Sequence, residues 1–228
     1  MGAIEPLMES EINYKVRKEA LSFLMFLKRK RCGKCKARGC VDGRPQRKCI
    51  SKEESSSPTV SIYAWMTSCL MDAIEDRHVV TCDIPAAFMQ ADWPDDRECI
   101  LRFEGPMVKM ICDINPSYKA NVFKNKHGKP VLYARLKKAV YGTIMASLLF
   151  YEKLRAQLIE WGFTENHYDH CTFNKMVEGK QLTVQYHVDD LKISSTNEEA
   201  VNNMIKDLNG KFRTKAKERS ISEQRIDT

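Results

Sequence analysis

From Gln181 to Ser194 the chain reads QLTVQYHVDDLKIS, with apolar Leu182, Val184, Tyr186 and Val188 alternating with polar Thr183, Gln185, His187 and Asp189. A period of two marks a half-buried strand. The strand runs into adjacent carboxylates, Asp189 and Asp190, and a second short run, Leu191–Ser194, follows at once. Asp suits turns better than strand interiors, so the pattern predicts a hairpin with the carboxylates at its turn. Cys171–Met176 reads as a strand paired with Leu182–Asp189 across a Glu178-Gly179-Lys180 turn. Further strands are predicted over His78–Asp83, which ends at a carboxylate before Pro85, over Cys99–Phe103 and over residues 131–140.

Helical spacing sets out four helices. Residues 9–31 place Tyr14, Ala20, Leu21, Leu24 and Leu27 near one face. Ser57-Pro58 opens a second helix, because proline at the first helical position loses only an unused donor. Its stripe of Tyr63, Met66, Leu70 and Ile74 is expected in the core. Ile144, Leu148, Tyr151, Leu154, Leu158 and Trp161 define a third, stopped by Gly162. Thr196-Asn-Glu-Glu199 is a capping box for a fourth, with Val201, Met204, Ile205, Leu208 and Phe212 inward. The tail, 213–228, is charged, non-periodic and expected to fray. Lys192 reads as a solvated lysine, and Asp92, Asp95 and Asp96 as a solvated acidic loop.

Composition adds a bias rather than a fold. At 228 residues, with 43% hydrophobic and 29% charged residues, the chain has the make-up of one or two globular domains. The net charge of +7 suits an anionic partner such as nucleic acid. Residues 28–52 hold eleven Lys or Arg against one Asp. No signal-peptide pattern opens the chain, and no apolar run approaches the ~18 residues of a membrane span. An intracellular protein, cytoplasmic or nuclear, with reduced thiols is therefore expected. Cys32, Cys35, Cys40 and Cys49 have the spacing C-x2-C-x4-C-x8-C, which fits neither zinc ribbons nor fingers, so they read as free thiols.

The chemistry lies in the carboxylates. A pair on a rigid turn is a platform for hard cations such as Mg²⁺. Asp83 would add a third if its strand neighbours the hairpin. Two metals held so would activate an attacking oxygen and stabilise a leaving one at phosphorus.

Four ordered blocks over about half the chain then resemble one family. Asp83 to Phe88 matches D-x-x-x-A-F, and Leu136 to Gly142 matches L-x-K-A-x-Y-G. Gly162-Phe163 to Asp169-His-Cys171 is near G-F-x-x-x-x-x-D-x-C, and His187-Val188-Asp189-Asp190 stands at the aromatic-x-D-D box. The chain resembles the reverse transcriptase of copia-type LTR retrotransposons. That resemblance implies an α+β fold with the fingers and palm of the right-hand polymerases, the thumb and ribonuclease H being absent. It also implies an N-terminal helix and fingers-like segment over 1–57, palm and fingers over 58–212, and a truncated tail over 213–228.

The implied activity is RNA-directed DNA polymerisation, adding dNTPs to a primer annealed to an RNA or DNA template. Asp83, Asp189 and Asp190 would hold two Mg²⁺ ions. Arg38, in a K-A-R segment like the family's, would hold the triphosphate, with Lys36 and Arg44 weaker candidates. Phe88 would lie under the nucleotide sugar, and Tyr141 and Gly142 would line the cleft. His187, in place of the usual Tyr, would lie near the primer. The chain departs from the family where Tyr141-Gly-Thr-Ile-Met-Ala-Ser-Leu-Leu-Phe150 replaces Y-G-L-K-Q-A-P-R-x-W. Two other readings stand beside this one: an inactive, truncated retroelement fragment, and a non-enzymatic nucleic-acid-binding module. The module needs exposed aromatics on the sheet face that carries Thr183, Gln185 and His187.

Overall fold

Backbone alternation and turn chemistry divide the chain between two sheets. The structure, a computed structural model, describes residues 2–51, 53–188, 190–212 and 215–218. In chain order the elements are β1 (Ile4–Pro6), α1 (Tyr14–Glu19), β2 (Leu21–Arg29), β3 (Cys35–Val41), α2 (Ile62–Ile74), β4 (His78–Asp83), β5 (Ile100–Glu104) and α3 (Pro106–Ile114). Then come β6 (Phe123–Lys124), β7 (Pro130–Leu136), α4 (Ala146–Glu160), β8 (Thr164–Glu165), β9 (Thr172–Val177), β10 (Lys180–His187), β11 (Asp190–Ser195), α5 (Glu198–Phe212) and β12 (Lys215–Glu218). They form two compact units, Met1–Ser56 with Phe88–Leu149, and Ser57–Ala87 with Phe150–Thr228. The α+β class implied by the sequence is the class observed. Among the described residues no helix is long and apolar enough to cross a membrane.

The first unit has the strand order β1-β7-β5-β2-β3, with β6 also on β7. Only β2–β5 is parallel. Leu21, Val41, Trp93, Leu101, Phe103, Leu132 and Leu136 fill its main core. The helix expected over 9–31 is not there. A short helix, α1, stops at Glu19, and Leu21–Arg29 is a strand running antiparallel to β3 from Phe23↔Val41 to Arg29↔Cys35. The run LSFLMFL has leucines at helical spacing, but short apolar runs are ambiguous between periods. Its aromatic residues suit a strand, and a partner strand follows within six residues. Helix α3 starts on Pro106 at its first position.

The second unit is an antiparallel sheet of order β12-β4-β11-β10-β9-β8. One face is apolar: Val80, Cys82, Val184, Tyr186, Leu191 and Ile193 are buried. Helices α4 and α5 supply Phe150, Leu154, Leu158, Val201, Met204, Leu208 and Phe212, all buried. Phe150 lies 6.1 Å from Tyr186 and 6.2 Å from Phe212, ring to ring. Gly162 closes α4 at φ +84°, as expected.

Helix α2 lies on the other face and departs from expectation twice. It starts at Ile62, not beside Pro58, because Ser61 is its cap and accepts a hydrogen bond from Ala64 N at 3.1 Å. Its apolar stripe points to solvent: Tyr63 is 83% exposed, Met66 60%, Leu70 60% and Ile74 68%. The sheet face beneath it is polar, so the polar side of α2 turns inward. Asn197, not Thr196, caps α5 through Ala200 N. Of the tail expected to fray, residues 215–218 pair with β4 as β12; residues 213–214 and 219–228 lie outside the described residues.

Candidate active site

Strands β4 and β11 are neighbours, and their register places Asp190 directly opposite Asp83. On its other side Asp190 faces His187 of β10. Directly opposed residues project from the same face, so Asp83, Asp190 and His187 share one end of the sheet. Strand β10 ends at His187 and β11 begins at Asp190. Val188 has φ +62°, a left-handed conformation that is unfavourable for a β-branched residue and costs on the order of 1–3 kcal/mol. His187 and Asp190 are both exposed where the two strands meet the tip. Asp189, the third expected carboxylate, lies outside the described residues.

Two like charges directly opposed across strands destabilise a sheet unless something neutralises them. Among the described residues no ion pair engages Asp83 or Asp190. Nor does a group of three or more acidic, His or Cys side chains gather at one point among them. The two that do meet are oxygen donors of the kind that hard divalent cations take. A pocket of about 480 Å³ opens beside Asp190, lined also by Val60, Ile62, Trp65 and His187.

Beneath this end lies a polar layer that sequence reading missed. Lys192 is not solvated. Its side chain is 3% exposed and paired with Asp72 of α2, itself 4% exposed. The ammonium also donates to Ser68 Oγ at 2.7 Å and stands 5.4 Å from the Trp65 ring centre. Thr183 and Gln185, expected on an open face, are buried. Gln185 Nε2 donates to Ala64 O at 3.2 Å, and Arg77 Nη1 donates to Thr183 Oγ1 at 3.2 Å. The legible signal was Lys192 itself, a charge between Leu191 and Ile193 in mid-strand, with Asp72 and Ser68 on the polar side of α2.

The first unit carries the other expected residues. Lys36 and Arg38 are exposed on β3, opposite Lys28 and Phe26 of β2. Alternation puts all four on one face of the hairpin. Arg44 is engaged with Asp42 through Nε at 2.8 Å and Nη2 at 2.7 Å, which holds the Asp42 carboxyl down at about 2. Phe88 packs on Tyr141 with ring centres 4.4 Å apart. Tyr141 O accepts from Val41 N at 2.7 Å, so the Tyr141-Gly142 block is fastened to the end of the strand that carries Arg38. Each unit thus gathers its own expected residues: Asp83, Asp190 and His187 in one, Lys36, Arg38, Phe88, Tyr141 and Gly142 in the other. The expected acidic loop is paired in part, since Lys138 binds Asp92.

The sequence as a whole is similar to known proteins. The pattern of one family, described as reverse transcriptase (RNA-dependent DNA polymerase), matches residues 16–219. The Transposon Ty1-BL Gag-Pol polyprotein of Saccharomyces cerevisiae is 27% identical over 199 residues, 87% of this chain. The chain spans 10% of that polyprotein's length. Among solved structures, a telomerase from Candida albicans in complex with a fragment of telomeric RNA is similar at a TM-score of 0.46 and 9% identity, over 99% of this chain and 47% of that one. The match over nearly the whole length bears out the likeness to copia-type enzymes that the four motif blocks carry, and the chain belongs to the reverse transcriptase (RNA-dependent DNA polymerase) family.

Proposed function

We propose that this chain is the fingers and palm of an RNA-directed DNA polymerase that extends a primer annealed to a nucleic-acid template. The observation that carries the reading is the register of β4 against β11, which sets Asp83 and Asp190 face to face in a family whose members polymerise DNA. In this reading the second unit, Ser57–Ala87 with Phe150–Thr228, is the palm. The first unit, Met1–Ser56 with the excursion Phe88–Leu149, supplies the fingers. Asp83, Asp189 and Asp190 would hold Mg²⁺, which supplies Lewis acidity for phosphoryl transfer when bound.

The remaining work falls to the chain's own residues. Lys36 and Arg38, free on an exposed strand face, meet the triphosphate of the incoming dNTP, and a guanidinium can bond two phosphate oxygens at once. Phe88, seated on Tyr141, would lie under the nucleotide sugar. The Tyr141-Gly142 backbone lines the nucleotide side. His187 stands next to Asp190 on the primer side. The binding-module reading is disfavoured, because Thr183 and Gln185, which an open recognition sheet would expose, lie beneath α2.

Primer extension tests the proposal. Purified chain, an RNA template with an annealed DNA primer, dNTPs and Mg²⁺ should give extended product. Asp83→Ala and Asp189→Asn should each abolish it while Asp83→Ala leaves duplex binding intact or tighter. Extension that survives Asp83→Ala would refute the assignment. No extension by a folded wild-type chain would favour the inactive fragment.

A further inference from the structure

We infer that the buried ion pair between Lys192 and Asp72 is a register pin, and that both are positioning residues for the carboxylates Asp83 and Asp190. The inference rests on the polymerase reading for what the carboxylates do, but not for where they are.

The argument starts from cost. Burying an ammonium and a carboxylate costs several kcal/mol per ion before their attraction is counted, and apolar residues of the same size often serve stability as well or better. Here both side chains are almost fully buried. The pair is also imperfectly satisfied, for among the described residues Asp72 Oδ1 has no partner, and Gln185 Oε1 and Ser194 Oγ on the same sheet face are likewise unpartnered. A pair so placed is poorly explained as a device for stability. What such a pair can supply instead is a unique register, since a strand slip would leave each charge buried without its partner.

Uniqueness matters at this point in the chain. Asp190 faces Asp83 only because β11 lies against β4 in one register, in which Lys192 opposes Thr81 and Ser194 opposes Val79. A slip of one residue would turn Lys192 into the apolar face beside α4 and α5, and a slip of two would keep the faces but part the carboxylates. The pin works through α2. Only Glu75, Asp76 and Arg77 separate the end of α2 from the start of β4, so the position of Asp72 along the sheet is set by the strand that carries Asp83. Arg77 N donates to Asp72 O at 2.8 Å, which closes that connection tightly. Lys192 is two residues beyond Asp190 on β11. Bonding Lys192 to Asp72 therefore indexes the Asp190 strand to the Asp83 strand.

The test compares Lys192→Met, Asp72→Asn, the apolar pair Asp72→Leu with Lys192→Met, and the swapped pair Asp72→Lys with Lys192→Asp. Two readouts are used on the full chain: Mn²⁺ affinity by calorimetry, and cross-strand nuclear Overhauser contacts between residues 81 and 192 and between 79 and 194. The single variants and the apolar pair should bind Mn²⁺ at least about tenfold more weakly, the usual effect of losing a group that orients a ligand. They should also lose or split those contacts. The swapped pair should recover affinity to within about threefold and restore one set of contacts. If the single variants do not fold, the apolar pair decides, because matched apolar side chains preserve packing. An apolar pair with wild-type contacts and wild-type Mn²⁺ affinity would show packing alone and overturn the pin, as would a folded swapped pair that recovers neither. Should wild type itself fail to bind Mn²⁺ while the contacts still split in the variants, the metal-site reading falls and the pin stands.

Discussion

Gly142 shows how much one position can decide. Its φ is +96°, and a Cβ there would lie 2.0 Å from Val41 O and 2.7 Å from Val41 N, both backbone atoms that cannot swing aside. Gly33 has a similar φ of +79° but opens to empty space. Gly33→Ala should therefore cost only the left-handed backbone penalty, about 1–2 kcal/mol. Gly142→Ala adds a steric clash and should cost clearly more, on the order of 3 kcal/mol or above. Urea unfolding of the two variants checks the order; equal losses would mean that the Tyr141-Gly142 block is not held against Val41. Asp83 and Asp190 were legible in the sequence because each ends or begins an apolar strand. Lys192 was not, because the rule that charged residues face water fails when a partner waits on another element. Asp72 lies 120 residues away in sequence, and periodicity within β11 carries no trace of it.

At the scale of elements, α2 shows why an apolar stripe and a buried face are different things. Helical spacing identifies Tyr63, Met66, Leu70 and Ile74 as one side of the helix, but which side meets the sheet depends on the sheet. Parity along β10 and β11 gives that sheet one apolar face and one polar face. Helices α4 and α5 occupy the apolar one, and α2 receives the polar one. The misplaced helix over 9–31 has a related cause, since leucines at 21, 24 and 27 satisfy helical spacing while the β3 partner that makes them a strand is fixed by pairing. The β9–β10–β11 meander was readable because alternation and the Glu178-Gly179 turn, with φ of +50° and +76°, agree. The orientation of α2 predicts a contrast. Leu70→Gln, on the exposed stripe, should change stability by no more than about 0.5 kcal/mol. Leu154→Ala, at a site 1% exposed in α4, should cost about 2–5 kcal/mol. Thermal or urea melts measure both; a large loss from Leu70→Gln would mean that the stripe is buried and α2 is turned the other way.

Over the whole molecule the charge is unevenly spread, and under the proposed function this bears on how nucleic acid would be held. Residues 28–52 carry eleven Lys or Arg and one Asp, which exceeds the net +7 of the entire chain, so the remainder is net acidic. The acidic remainder includes Asp83, Asp189 and Asp190, which repel a phosphate backbone in the absence of cations. In the proposed reading, attraction would come from the basic stretch. Lys28, Arg29, Lys30, Arg31, Lys34, Lys36 and Arg38 on and around the β2–β3 hairpin are all exposed. Lys28 and Lys36 are directly opposed across the strands, a like-charged arrangement that a bound polyanion would relieve. Binding driven by such residues releases counterions, and the logarithm of affinity falls with the logarithm of salt by about 0.7–0.9 for each phosphate neutralised. Replacing Lys28, Arg29, Lys30 and Arg31 with Gln should lower the affinity for a template–primer duplex and flatten its salt dependence by about 3 in slope. Fluorescence anisotropy between 50 and 200 mM salt, roughly the range over which such affinities change steeply, measures it. The same number of Lys→Gln changes outside the stretch, at Lys109, Lys119, Lys124 and Lys126, should leave the slope nearly unchanged. If both sets flatten it equally, overall charge steers binding and the hairpin has no special part. A loss confined to the hairpin set would make the β2–β3 hairpin the nucleic-acid arm of the first unit, with the carboxylates of the second left free to act on the primer end.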